Sequence, residues 1–286
     1  GGLLTSEGTI TVTSAGLNNT SGQVSSAGAM ALSTTGTLTN QKGAVTSGQG
    51  LTLNSASLDN RTGTISAKAA AGITTGAFDN SQAGKLISND TLDLKAAQVS
   101  NGAGSRIASD NALTASVSGF DQQGGQIYSK TSLSLDLNNG QLNNQLGLIN
   151  APLLMLKNLN GVNNQGGEIS SAQAFALTSK NLDNSNGKLI STQALTLRID
   201  QALSNIKGLI SAAALKVHGA SLDNSSGMLS SRGELGVAVG GAFKNQSGSA
   251  IGDGNVQLAA ASLDNRDGKI SSKADLTSNI AAIDRK

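Results

Sequence analysis

No cysteine occurs in the chain, which rules out disulfides, thiol catalysis and cysteine-based metal sites. That absence fits a cytosolic protein and equally one exported in an extended state. Histidine is represented once, by His218. A lone histidine without cysteine supplies neither a usual zinc set nor a catalytic triad, so we read it as a surface residue. Tryptophan is missing, tyrosine occurs once, proline once, and aromatics make up 2% of 286 residues, too few for an ordinary aromatic core. Twenty Lys and Arg against eighteen Asp and Glu leave a net charge of +2, and the cations are scattered singly. That pattern lacks the clustered basic footprint of a nucleic-acid binder. No apolar run has the length of a membrane-spanning helix, and no signal peptide opens the chain.

Aliphatic residues, by contrast, recur on schedule, so the chain can bury a core and does not read as disordered. The schedule is a phrase, L-x-N-x-x-G-x-[I/V/L], found in thirteen copies spaced 19–22 residues apart. Its amide position holds Asn19, Asn40, Asn60, Asn80, Asn101, Gln122, Asn144, Asn164, Asn184, Asn205, Asn224, Asn245 and Asn265. Its glycine position is read as Gly22, Gly43, Gly63, Gly84, Gly104, Gly125, Gly147, Gly167, Gly187, Gly208, Gly227, Gly248 and Gly268. A repeat this short governs every other reading. The opening "GGLLTSEGTITV" aligns with the second half of a unit. Residues 1–286 are therefore expected to form a single repeat domain, cut from a longer filament and without obvious caps.

Inside each unit, apolar and polar residues alternate in bursts of three to five, as in "SLDN", "GKIS" and "LTL". This is the period of short, half-buried strands. Three strands and three turns in one unit cannot bury an apolar face alone, but stacking units as successive coils can. The expected fold is all-β: a right-handed parallel β-helix, or β-solenoid, of about thirteen coils with roughly 20 residues per coil, the handedness following from the preference of parallel crossovers. Stacked Asn amides would then bond from coil to coil, and glycine would supply the positive φ of a tight corner. Gln122 should distort one rung, and Pro152 should mark a corner or bulge.

The best candidates for chemistry are the outward carboxylates Asp59, Asp79, Asp121, Asp183, Asp223 and Asp264. Asp59 and Asp79 fall in consecutive coils, about 5 Å apart, where two carboxylates could share a proton or bind a cation. Solvated residues beside turns are the plainer reading. The run "GSAIGDGN" at 248–255 lacks the Lys-Ser/Thr pair of a phosphate loop and reads as a turn. The outward row Thr11, Ala31, Thr52, Gly72, Asp93, Thr114, Ser134 is too mixed for an ice-binding face. No catalytic, cofactor or metal site is expected.

The phrases "SLDNRDGKISS", "NLDNSNGKLISTQALTL" and "SLDNSSGMLSSRGELGV" resemble the haemagglutinin repeats of filamentous-haemagglutinin-like exoproteins. These include bacterial adhesins and the stick proteins of contact-dependent growth inhibition, and the resemblance covers essentially the whole chain. It implies secretion to the bacterial surface through an outer-membrane two-partner transporter. It also implies a filament segment that carries a distal functional domain of the same exoprotein. A host or target-cell receptor for a side face, with Tyr128 as an outward aromatic, is the alternative; a polysaccharide-active enzyme fits less well.

Overall fold

The computed structural model describes residues 1–284, and every regular element among them is a β-strand. The chain is an all-β, parallel β-solenoid of about 14 turns, close to the thirteen coils expected. It divides into two compact units, residues 1–143 with 147–151, and residues 144–146 with 152 onward.

In the first unit one sheet is built from the four-residue strands that follow each glycine. They run Leu3–Ser6, Gln23–Ser26, Ala44–Ser47, Thr64–Ala67, Lys85–Ser88, Arg106–Ser109, Gln126–Ser129 and Leu148–Ala151. Each pairs in parallel with the next coil's copy, so Val45, Ile65 and Leu86 stack in one row. Alternation explains the register, because those three are completely buried while Thr46, Ser66 and Ile87 face outward. A one-residue slip would turn every aliphatic group to solvent. Each buried Val, Leu or Ile contributes about 1.5–3 kcal/mol, which holds the row together.

The second sheet carries the "LTL" and "LDN" segments. In the early coils these are separate strands, such as Leu51–Asn54 and Ser57–Asp59. From Ala71–Asp79 to the end of the first unit they fuse into single strands, including Leu92–Ser100 and Leu113–Asp121. Three separate strands per coil were expected, and here one corner is instead a bend inside a strand. The pairing skips from Thr75↔Ala96 to Ala77↔Gln98, so the bend passes through Gly76 without breaking the ladder. The longest repeat is accommodated in Ser132–Asn143, whose register shifts against Leu113–Asp121. Asn138 and Asn139 there adopt left-handed conformations, which asparagine tolerates, and Asn138 Nδ2 donates to the Val117 carbonyl at 3.2 Å.

The second unit repeats the scheme. One sheet holds Glu168–Ser171, Lys188–Ser191, Leu209–Ala212, Met228–Ser231, Ser249–Gly252 and Lys269–Ser272. The other holds Leu153–Asn163, then Phe175–Ser179 with Asn181–Asp183, Ala194–Ser204, Ala214–Asp223, Leu235–Val239 with Ala242–Lys244, Val256–Asp264 and Leu276–Asp284. Pro152 sits at a bend, where its missing N–H breaks no ladder, and its carbonyl accepts from Gln173 N and Ser171 Oγ, both at 2.9 Å. The glycine run 248–255, expected to be a turn, is half strand: Ser249–Gly252 pairs with Met228–Ser231 because Ala250 is an inward residue of the core row.

Candidate functional site

The repeated amides form two buried series, one in each unit. In the first, Asn19 Nδ2 donates to Asn40 Oδ1 at 2.7 Å, and Asn40, Asn60 and Asn80 donate onward at 2.7–2.8 Å. Asn101 donates to Gln122 Oε1 at 3.3 Å, the longest of these contacts, as the extra methylene of glutamine displaces its amide. Gln122 Nε2 in turn donates to the Leu148 carbonyl at 3.0 Å. In the second, Asn144, Asn164, Asn184, Asn205, Asn224 and Asn245 each donate to the next, ending at Asn265, over 2.6–2.7 Å. The second proton of each amide goes to main-chain carbonyls; Asn60, for example, reaches Lys85 O at 3.0 Å. All bonds run in one chemical sense, from Nδ2 toward the next coil.

The glycines beside this series act differently from expectation. Positive φ was expected of them, yet it falls on the residue before: Ser21, Lys42, Thr62, Asn186, Lys207, Ser226, Ser247 and Asp267 lie at 52° to 59°. The glycine is required by contact instead. A Cβ on Gly63 would lie 2.0 Å from the Asn40 carbonyl oxygen and 2.6 Å from Asn60 Oδ1. The absent side chain is therefore what lets the turn close onto the amide one coil away. Gly104 is a second correction. It does have positive φ, 76°, but the register Lys85↔Arg106 places Ser105, not Gly104, in line with Gly84. Ser105 is buried with an Oγ that has no hydrogen-bond partner. Ser105→Ala is expected to raise stability by about 1 kcal/mol, the cost of an unsatisfied buried hydroxyl, read as a higher urea midpoint.

A second polar row escapes the sequence reading. Serines closing the four-residue strands point inward: Ser47, Ser88, Ser109, Ser171 and Ser191 are buried. Ser88 Oγ shares its proton between the carbonyls of Ala69 and Thr91, both at 2.8 Å. The signal is present in "VTS", "LIS" and "ISS", where alternation puts the final serine on the same side as the aliphatic residue two before it.

The acidic candidates are turn formers. Backbone N–H groups two residues on donate to Asp59, Asp79, Asp183, Asp223 and Asp264 at 2.9–3.3 Å. Asp121 instead accepts from Asn143 Nδ2 at 2.8 Å. Asp59 and Asp79 are in register, as expected, but Arg61 occupies the space they share. Its guanidinium bonds Asp59 at 2.7 and 3.0 Å and lies 3.6 Å from Asp79. Arg266 bridges Asp264 and Asp284 in the same way. The arginines thus supply the positive charge that a shared proton or cation would have supplied. Among the described residues no group of three or more His, Asp or Glu could hold a metal ion.

Hydrogen bonds from Arg61 hold the Asp59 carboxyl below its ordinary range. Burial pushes Asp183 up, but the bonds from Ser185 and Gln165 outweigh it and the net shift is downward. Arg266 lowers Asp264 to about 2. A depressed carboxylate adds stability that is full above its unfolded value and is lost as pH falls through its folded value. The Asp264 carboxyl carbon should accordingly titrate near 2 by NMR, and Arg266→Gln should move that midpoint up toward the ordinary carboxylate value of about 3.9.

On the outer surface, Tyr128 is half-buried, with the Arg106 guanidinium 5.5 Å from its ring centroid. His218 is half-buried on an outward row in register with Arg198. The row from Thr11 to Ser134 is continuous in register and mixed in chemistry.

Comparison with known proteins adds a family. No curated protein and no solved structure matches the chain. The haemagglutinin repeat matches at residues 1–42, 39–96, 87–151, 133–207 and 203–279, which together take in nearly every coil that the asparagine series threads. Family match and stacked coils agree, and the chain belongs to the haemagglutinin repeat family.

Proposed function

We propose that this chain is a structural filament segment of a secreted bacterial exoprotein, an adhesin or a toxin-delivery protein, which holds a distal functional domain away from the cell. The family is a structural or adhesin family, typical of secreted or cell-surface proteins. The observation that carries the reading is the constancy of the coil. Within each unit successive strands pair in register, and connections between strands stay at a few residues among the described ones. The polar residues of the repeat are consumed by stacking and turn formation, which supports a spacer without catalysis. On this reading the chain's partners are the rest of its exoprotein and the outer-membrane transporter that exports it.

Labelled chain should show no saturable binding to bacterial or epithelial cells above a control β-solenoid of similar charge. Specific, saturable binding would overturn the spacer reading and move the function to an adhesive side face with a glycan or protein receptor.

A further inference from the structure

We propose that the outer face of one sheet in the second unit is a self-complementary interface, on which a second copy of this chain docks antiparallel. This goes beyond the filament reading and does not depend on it. The sheet is the one built from Glu168–Ser171, Lys188–Ser191, Leu209–Ala212, Met228–Ser231, Ser249–Gly252 and Lys269–Ser272. The first and third residues of each strand alternate away from the core and stack in two outward rows. One row runs Glu168, Lys188, Leu209, Met228, Ser249, Lys269. The other runs Ser170, Ile190, Ser211, Ser230, Ile251, Ser271, and it reads the same in both directions.

The middle of this face is apolar. Ile190, Leu209, Met228 and Ile251 lie on four successive coils, none of them is buried, and Met228 is 42% exposed. The matching sheet of the first unit differs. Over its six coils from Gln23–Ser26 to Gln126–Ser129, Ile87 and Tyr128 are the large apolar outward residues. Contiguous apolar surface of this kind marks a contact with another molecule.

The order of residues selects the occupant. A two-fold axis lying along the strands, midway between Leu209–Ala212 and Met228–Ser231, reverses the coil order and sets each row on itself. Leu209 then meets Met228 of the second copy, Ile190 meets Ile251, and serine meets serine. At the two ends Glu168 meets Lys269, and Lys188 meets Ser249, so no like charges face each other. Within its own chain Glu168 accepts from Ser170 Oγ at 3.0 Å and has Lys188 Nζ only at 4.0 Å, which leaves its carboxylate able to take a second cation. An axis along the rod would instead set each row on the other, Lys188 against Ile190 and Leu209 against Ser211. That arrangement covers charge with hydrocarbon, so the antiparallel pairing is favoured. Packed sheets keep their strands within about 30° of each other, which this axis allows. Six coils of four-residue strands present about 350–400 Å² per copy. A face of that size supports a weak, reversible dimer, with a Kd on the order of 0.1–1 mM.

The test is sedimentation equilibrium of the whole chain from about 10 μM to about 1 mM, spanning the expected Kd. The mass should rise from one chain toward two and no further. Met228→Glu, which sets a carboxylate against Leu209 of the second copy, should abolish the rise, while Thr114→Glu, outward on the other sheet of the first unit, should leave it unchanged. Glu168→Lys should weaken dimerisation at least about fivefold, and adding Lys269→Glu to it should restore the parent's Kd, because each reversed charge then meets its reversed partner. All variants are outward changes and should keep the parent's unfolding midpoint. A single chain at every concentration, growth beyond two chains, a dimer that survives Met228→Glu, or no rescue by the double reversal would overturn the interface and leave the filament reading untouched.

Discussion

Asn184→Ala is expected to lower the unfolding free energy by about 2–5 kcal/mol, whereas Thr196→Ala, on the outer face of the next coil, should change it by less than about 0.5 kcal/mol. Asn184 is completely buried and accepts from Asn164 Nδ2 at 2.6 Å while donating to Asn205 Oδ1 at 2.7 Å. Alanine removes both bonds. Asn164 keeps carbonyl acceptors in Gly167 and Lys188, but Asn205 Oδ1 is left buried without its donor. Asn184→Asp separates hydrogen bonding from packing, because its shape is nearly unchanged. It still accepts from Asn164 but sets a carboxylate oxygen against Asn205 Oδ1, so it should be at least as damaging as alanine. Urea unfolding of the three variants decides the matter. Equal midpoints for Asn184→Ala and Thr196→Ala, or a harmless Asn184→Asp, would show that the amide row carries no stability.

The second large effect is steric. Gly227→Ala should cost about 3 kcal/mol, the upper end of ordinary overpacking, while Gly72→Ala should be neutral or slightly stabilising. A methyl group on Gly227 would meet the Asn205 carbonyl oxygen at 2.1 Å, Asn224 Oδ1 at 2.7 Å and Asn205 Nδ2 at 3.0 Å. The first contact is backbone held between two coils and cannot swing away. At Gly72 nothing lies within 4 Å. Neither glycine has positive φ, so the pair isolates contact from backbone strain. Comparable unfolding midpoints for the two variants would sink the explanation given for the repeat's glycine.

Much of this was legible in the residues, for reasons particular to stacked coils. A β-solenoid makes each residue's main partner the equivalent residue of the next repeat, so a one-dimensional pattern already encodes the tertiary contacts. The alternation in "SLDN" and "GKIS" puts Leu222, Asn224 and Ile270 on the inner side of their strands without reference to distant sequence. What stayed hidden depended on short distances between coils. Nothing in "LDNRTG" says that the left-handed residue is Thr62 rather than Gly63; that follows from how closely the turn presses on the Asn40 carbonyl. For Ser105 the one-residue offset of "GSRIAS" at 104–109 is visible in the sequence, but that Ser105 rather than Gly104 takes the place of the repeat's glycine follows from the register of Lys85 with Arg106.

The candidate chemistry divides along the same line. Spacing alone brought Asp59 and Asp79 into consecutive coils, but only the folded chain placed Arg61 against both, because a long flexible side chain has no position until its neighbours exist. The outward rows behave alike. Their membership is written in the repeat, yet the depression beside Lys216 and His218 exists because Gly236 lies in line between Lys216 and Gln257 while Ala238 and Ala259 follow His218. The sequence by itself determined the coil, its inward residues and its amide row, since these rest on local alternation and a strict period. Only the tertiary structure decided which glycine is sterically required, which carboxylates are neutralised and where the surface is indented, since these depend on gaps of a few ångströms between coils that no period specifies.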